Sequence, residues 1–414
     1  MRREKYALIG EKLLHSYSPE LHSYFGNYSY ELVETSREKV GDVIRSGKWS
    51  GFNVTVPFKK TAAELCDRLA GTAGSIGAVN TIIVKDGEAI GYNTDCSGFL
   101  YLLRINCIKV SGKKVLVLGN GGAAAAVCAA LKEERAGKTT IVARSKGGGM
   151  KDAYLHTDCD VLINATPVGM YPNAEESPLD LSEFLNCKAV IDLIYNPFVT
   201  RLLYQAESLG KKAVNGIDML AAQAAYASEL FTGDHIGDDK ISRAAKDIVK
   251  AKRNIVIIGM PGCGKTVVGK KLAPLVSKRF LDCDDEFFKS YGVTPESYII
   301  SHGEERFREK ETHLLKEKAY ENSSVISCGG GAVTKKENIS ALRSNGIIVY
   351  IRRGLSELDK KGRPLTEKFG IEELFRQRKE MYESAADIVV DFTDESATAE
   401  EIKVRIEEYE NSGN

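Results

Sequence analysis

Gly259-Met260-Pro261-Gly262-Cys263-Gly264-Lys265-Thr266 satisfies G-x-x-x-x-G-K-[ST] at every fixed position. The apolar, β-rich run Asn254-Ile255-Val256-Ile257-Ile258 precedes it, and the helical pattern Val267-Val268-Gly269-Lys270-Lys271-Leu272-Ala273 follows. Strand, glycine-rich turn and helix in that order make a P-loop. Its backbone N–H groups and helix N-terminus suit phosphate, Lys265 reaches the β- and γ-phosphates, and Thr266 suits Mg²⁺. More than half of the chain stands before this motif, and it carries different chemistry.

The 414 residues suit two or three domains. An apolar fraction of 43% is ordinary for globular proteins. Lys+Arg and Asp+Glu balance at 57 each, without the basic excess of a nucleic-acid footprint. No apolar run reaches the ~18 residues of a membrane span. The start, Met-Arg-Arg-Glu-Lys-Tyr-Ala-Leu-Ile-Gly, reads as a first strand rather than a signal peptide. Nine scattered cysteines without C-x-x-C spacing point to a reducing, cytoplasmic setting and away from a zinc cluster. The sequence leaves oligomeric state open.

Strand-like and helical runs alternate throughout, which predicts α/β domains with mostly parallel sheets. Expected strands are Tyr6–Ile9, Gly51–Val56, Thr81–Val84, Lys114–Leu118, Thr139–Ala143, Val161–Asn164 and Ala189–Leu193, then Asn254–Ile258, Arg279–Asp282, Ser324–Ser327 and Ile347–Ile351. The charged stretch Asp238–Arg253 reads as a helix with Ile241, Ala244, Ala245, Ile248 and Val249 on one face. It runs almost directly into the P-loop strand, so the boundary falls near 250–253.

Before that boundary, Val115-Leu116-Val117-Leu118-Gly119-Asn120-Gly121-Gly122-Ala123 is a variant dinucleotide fingerprint. The next strand ends at Ala143-Arg144. NAD sites favour Asp or Glu at such a strand end, whereas Arg144 suits the 2′-phosphate of NADP. His15-Ser16-Tyr17-Ser18-Pro19 presents two hydroxyls two residues apart, with Ser18-Pro19 expected as N-cap and N1 of a helix. Asn53-Val54-Thr55-Val56-Pro57-Phe58-Lys59 puts Asn53 and Thr55 on one face, with Lys59 following the strand. Gly77-Ala78-Val79-Asn80-Thr81 and Gly91-Tyr92-Asn93-Thr94-Asp95 add polar groups on loops, and Asn164-Ala165-Thr166-Pro167-Val168-Gly169-Met170 follows a strand.

In this order the segments resemble shikimate dehydrogenase, from about Tyr6 to about residue 248. The resemblance implies that Ser16 and Ser18 bind the substrate carboxylate. Thr55, Lys59, Asn80, Asp95 and Gln223 would line the hydroxylated ring. Tyr195 would reach the substrate, while Gly216 and Met219 would lie near the nicotinamide, and Gly119, Gly121, Gly122, Ala123 and Arg144 would hold NADP(H). Reduction of a ring ketone needs a hydride and a proton, and Lys59 as an ammonium oriented by Asp95 can give the proton. Two departures stand out: Ala143 replaces the family's usual Asn, and Asp160-Val161-Leu162 follows Arg144 so closely that the adenine side is trimmed.

After the P-loop, Phe280-Leu281-Asp282-Cys283-Asp284 ends a strand with D-x-D, suited to a Mg²⁺ ligand and a group facing an acceptor hydroxyl. Arg308 lies on a helix between Glu304 and Glu311 at helical spacing. Ser327-Cys328-Gly329-Gly330-Gly331-Ala332 follows a strand, and its glycines imply close approach to a ligand. Gly362-Arg363-Pro364-Leu365 lies in a polar stretch, and Arg378 lies on a helix. This half resembles shikimate kinase over about residues 253–395. The resemblance implies Thr266 and Asp282 on Mg²⁺, Asp284 as base and Lys265, Gly262 and Gly264 on ATP. It also implies Arg308 and Arg378 on the carboxylate, Gly330 and Gly331 against the ring, and Arg363 on a lid. An arginine often found in that lid is missing from Ser356-Glu357-Leu358-Asp359-Lys360-Lys361. Cys263, Cys283 and Cys328 fall near the same site and read as small fillers.

The expected organisation is therefore a dehydrogenase at 1–250, with a substrate part at 1–100 and 216–250 and a Rossmann-like part at 101–215, followed by a kinase at 251–414. The expected substrates are 3-dehydroshikimate and shikimate, with NADP(H), ATP and Mg²⁺. The alternatives are a metabolite-sensing regulator built on such domains, or a quinate-preferring dehydrogenase. A regulator needs no catalytic groups, yet Lys59, Asp95, Lys265, Thr266, Asp282 and Asp284 are all present.

Overall fold

Three runs of alternating strands and helices build three sheets. A computed structural model describes residues 4–13, 16–144, 149–358 and 370–412, which form two compact units, Met1–Val249 and Lys250–Asn414.

The first sheet holds β1 (Lys5–Gly10), β2 (Ser29–Glu34), β3 (Gly51–Val54), β4 (Arg68–Leu69), β5 (Thr81–Lys85) and β6 (Glu88–Tyr92), in the order β2-β1-β3-β5-β6-β4. It is mixed, because β5 runs antiparallel to both of its neighbours, β3 and β6. The second holds β7 (Lys114–Leu118), β8 (Lys138–Val142), β9 (Val161–Asn164), β10 (Ala189–Asp192) and β11 (Lys212–Val214), all parallel, in the order β11-β10-β9-β7-β8. A doubly wound dinucleotide fold runs 3-2-1-4-5-6. Here β8 is the edge and the strand that would flank it is absent among the described residues. The short 3₁₀ segment Gly149–His156 occupies that part of the chain.

The second unit has one parallel sheet of β12 (Asn254–Ile258), β13 (Arg279–Asp282), β14 (Ser324–Ser327), β15 (Gly346–Arg352) and β16 (Ile388–Asp391), ordered β13-β14-β12-β15-β16. Its central strands β12 and β14 are buried along their whole length, as a parallel sheet covered by helices on both faces requires.

Helix Asp238–Lys252 places Asp238 and Asp239 in its first turn and Lys250 and Lys252 in its last, which complements the helix dipole. Its buried Ile241, Ala244, Ala245 and Ile248 join a cluster with Leu21, Tyr101, Ile217 and Ala221, so this helix belongs to the core of the first unit. Only Arg253 separates its end from β12.

Candidate active sites

In the first unit, β3 ends at Val54, two residues short of expectation, and Lys59 opens helix Lys59–Leu65. Asp95 lies in the first turn of helix Thr94–Ile105, where the dipole favours a carboxylate, and Asn93 caps that helix by accepting from the Cys96 N–H. Lys59 Nζ donates to Asp95 Oδ2 at 2.6 Å, with side chains only 15% and 6% exposed. The other carboxylate oxygen accepts from Asn80 Nδ2 at 2.9 Å. Asn80 also reaches Thr94 Oγ1 at 3.0 Å and Gln223 Oε1 at 3.5 Å, and its own Oδ1 accepts from the Thr94 N–H at 2.7 Å. Four of the expected ring-lining residues, Lys59, Asn80, Asp95 and Gln223, thus form one hydrogen-bonded cluster. Thr55 lies just past β3, held by its N–H to Ile9 O at 2.9 Å.

The serine pair differs from expectation in one respect. Helix Ser18–Phe25 begins at Ser18, the capping position is Tyr17, and no side chain caps it. Tyr17 has φ −89° and ψ 2°, and Ser16 Oγ accepts from the Ser18 N–H at 3.2 Å, so the hydroxyl two residues earlier closes the turn. Sequence reasoning also passed over His22, one turn after Ser18. Its ring stacks on Tyr30 at 3.9 Å, and burial pushes its imidazole down to about 3. Tyr30 donates to Asn53 Oδ1 at 2.8 Å. A polar residue one helical turn after Ser18 was the available signal.

The dinucleotide turn comes close to this cluster. Gly119 has φ +111°, and a Cβ there would stand 2.8 Å from Ala165 O, so only glycine fits. A Cβ at Gly121 would meet nothing within 4 Å, which leaves that backbone open to a ligand, and Ala123 follows inside helix Gly122–Glu133. A Cβ at Gly122 would lie 3.3 Å from the Lys59 side chain, so the turn ends beside the acid–base pair. Gly216 approaches the Leu193 carbonyl too closely for any side chain. Met219 is buried, and Tyr195 packs on Tyr17 with ring centres 5.2 Å apart. Arg144 is exposed just past the end of β8, with no ion-pair partner among the described residues. An open glycine turn leading to a strand-end arginine fits a phosphorylated dinucleotide.

In the second unit, Gly262 and Gly264 take φ of +81° and +100° to form the loop. Lys265 Nζ donates to Gly259 O at 3.0 Å and Met260 O at 2.9 Å. Thr266 Oγ1 donates to Asp282 Oδ2 at 2.7 Å, and Asp282 Oδ1 caps helix Cys283–Tyr291 through the Asp284 N–H at 3.0 Å. A hydroxyl and a carboxylate side by side are hard oxygen donors that fit Mg²⁺. Burial, with Asp282 and Glu311 nearby, pushes the Asp284 carboxyl up to about 6.

Arg308 is gripped between Glu311 Oε2 at 2.6 Å and Glu304 Oε1 at 3.2 Å. Burial opposes its charge, but the two carboxylates outweigh it and hold the guanidinium above its ordinary range. Gly331 lies so close over that guanidinium that a Cβ would collide with it, and a Cβ at Gly330 would strike Pro261 of the P-loop at 2.6 Å. Arg378 Nη1 donates to Gly330 O at 3.2 Å, and Tyr382 donates to the same carbonyl. Asp284, Arg308, Gly330, Gly331 and Arg378 therefore meet at one place beside the P-loop. Arg363 lies outside the described residues. Cys263, Cys283 and Cys328 are buried with free thiols.

A dinucleotide-type oxidoreductase and a P-loop kinase of small molecules thus share one chain. The kinase part matches the family model "Shikimate kinase" over residues 261–407, and residues 8–82 match "Shikimate dehydrogenase substrate binding domain". A shikimate dehydrogenase (NADP(+)) of Clostridium beijerinckii is 38% identical over 264 residues, covering 59% of this chain and 97% of that protein. The solved chorismate mutase/shikimate 5-dehydrogenase fusion of Clostridium acetobutylicum is 33% identical with a TM-score of 0.56, covering 60% of this chain and 98% of that one. The Thermus thermophilus shikimate 5-dehydrogenase solved with NADP(H) and shikimate is 31% identical with a TM-score of 0.53, covering 59% and 99%. The chain belongs to the shikimate dehydrogenase family through its first unit and carries a shikimate kinase domain in its second, a bifunctional shikimate-pathway enzyme. The regulator and quinate-preferring readings find no support among these relatives.

Proposed function

We propose that the first unit reduces 3-dehydroshikimate to shikimate and that the second phosphorylates shikimate at its 3-hydroxyl. The observation that carries this reading is the Lys59–Asp95 pair standing beside Gly122 of the dinucleotide turn. NADPH, when bound, supplies the hydride, and Gly119, Gly121, Gly122, Ala123, Arg144, Gly216 and Met219 would hold it. Ser16 and Ser18 bind the substrate carboxylate, and Thr55, Asn80, Tyr195 and Gln223 position the ring. The Lys59 ammonium gives its proton to the carbonyl oxygen, and Asp95 keeps that ammonium oriented and stabilised.

In the kinase, Arg308 and Arg378 bind the shikimate carboxylate, since a guanidinium fork suits bidentate contact. Gly330 and Gly331 leave room for the ring. Asp284 accepts the proton of the attacking hydroxyl, and at neutral pH its carboxyl, near 6, is still mostly ionised. Lys265, Gly262 and Gly264 hold the phosphates of ATP, with Arg363 as lid, and Thr266 and Asp282 would hold Mg²⁺, which neutralises charge on the phosphates. One coupled assay tests both steps. Oxidation of NADPH on adding 3-dehydroshikimate, then ADP release on adding ATP, is the expected sequence. Absence of either signal from a folded chain overturns that half of the reading.

A further inference from the structure

Asp192 is fully buried at the end of β10 and has no cationic partner among the described residues. A lone carboxylate in such a place is costly. Burial pushes it up to about 7, against the pull of three donors. Those donors come from three separate segments. Asn164 Nδ2 donates at 3.0 Å, the Ile194 N–H at 3.1 Å and Thr200 Oγ1 at 2.7 Å.

Each donor opens a route outward. Asn164, paired in register with Asp192, accepts from both the Thr166 N–H at 3.0 Å and Thr166 Oγ1 at 2.7 Å. The Ala165–Thr166 loop in turn touches Gly119 of the dinucleotide turn. On the second route, Ile194 O accepts from the Gly216 N–H at 3.0 Å, just before helix Ile217–Thr232, which carries Met219 and Gln223. On the third, Thr200 caps helix Arg201–Ser208 through the Leu203 N–H. The first route runs from the loop after β9 to the turn after β7, and the second from the loop after β10 to the turn after β11, all at the carboxyl ends of the strands, where ligands of open α/β sheets bind.

We infer that Asp192 is a positioning residue: through Asn164 and Ile194 it fixes the loops that receive the nicotinamide half of the cofactor, without touching cofactor or substrate. It acts as an acceptor of hydrogen bonds rather than as a charge. This rests on the NADPH-dependent dehydrogenase reading, which native-chain NADPH binding, followed by fluorescence, tests separately.

The experiment compares Asp192→Ala, Asp192→Asn and Asn164→Ala in the full chain. Asp192→Ala should weaken NADPH binding about tenfold, the upper scale of one ordinary hydrogen bond lost. KM for NADPH should rise with it while KM for 3-dehydroshikimate stays near native. Asp192→Asn keeps an oxygen for Asn164 and Ile194 and an amide for Thr200, so it should restore most of the affinity. The melting transition of the dehydrogenase unit reports its integrity, and kinase activity on the same chain normalises the amount of protein. If Asp192→Ala lowers only kcat, with both KM values and NADPH affinity native, the residue merely supports the fold and the inference fails. Should Asp192→Ala not fold, Asn164→Ala must show the same NADPH-selective loss, and native NADPH affinity there equally overturns it.

Discussion

On the proposed reading Lys59 gives the carbonyl oxygen its proton, and its side chain lies where the dinucleotide turn ends. Lys59→Ala should therefore lower dehydrogenase kcat by ~10²–10⁴, the usual contribution of a general acid, with NADPH affinity and kinase activity unchanged. Steady-state rates of both reactions on one preparation check it, and a near-native kcat would remove Lys59 from the proton path. Asp192 gives a second residue-scale expectation, in stability. Its carboxyl is raised to about 7 in the fold, against roughly 3.9 unfolded. The folded state thus holds a proton that the unfolded state lacks across that window. Stability from this group is complete below about pH 4 and is lost as pH rises through about 7. Melting temperatures of the native chain and Asp192→Asn should diverge in the variant's favour between pH 5 and pH 8; parallel curves would contradict the buried, titrating carboxyl.

At the scale of elements, helix Glu304–Ala319 and the Gly329–Gly331 turn are fitted to each other. The φ of Gly331 is −104°, which any residue tolerates, but a methyl there meets the Arg308 guanidinium clamped by Glu304 and Glu311. Gly331→Ala should raise KM for shikimate at least tenfold, as expected when a charge-assisted contact is lost, with KM for ATP little changed. Equal changes in both would mean that the turn serves the P-loop instead. The fit was partly legible in sequence, because the Arg308 spacing and the triple glycine are local patterns. What faces them is not local: Tyr382 on the Gly330 carbonyl and Pro261 under Gly330 come from distant segments. Likewise, apolar runs announced β7, β9, β12 and β15, whereas β2, a largely exposed edge strand, and β11, three residues long, carry little periodic signal. The Ser18 cap was misplaced because a side chain two residues earlier, invisible to propensity, closes that turn.

At the scale of the whole molecule, the chain is expected to divide into two working enzymes. The apolar face of helix Asp238–Lys252 is spent inside the first unit, but its last turn serves the second: Lys278 Nζ donates to Lys250 O at 2.8 Å and Ala251 O at 3.0 Å, and the Ser323 N–H donates to Lys252 O at 2.8 Å. Residues 1–249 should retain dehydrogenase activity alone. A kinase fragment from 250 should be active and more stable than one from 254, which loses three backbone acceptors. Expression of both fragments, followed by activity and melting curves, checks this. Inactivity of both well-folded halves would mean that neither site is complete by itself.

The position of Arg144 just past the edge strand β8 has a consequence for the dependence on salt. Arg144 is exposed past the end of β8, so on the proposed reading it would meet a 2′-phosphate in contact with solvent, where the Debye length at physiological salt is about 8 Å and mobile ions compete for the same charge. The Lys59 and Asp95 side chains are mostly buried, and mobile ions screen that pair much less. Cofactor recognition, but not substrate recognition, should therefore weaken as salt is raised: KM for NADPH climbs between low and physiological ionic strength while KM for 3-dehydroshikimate hardly moves. On this chain, the surrounding salt would act as a throttle on reductant uptake.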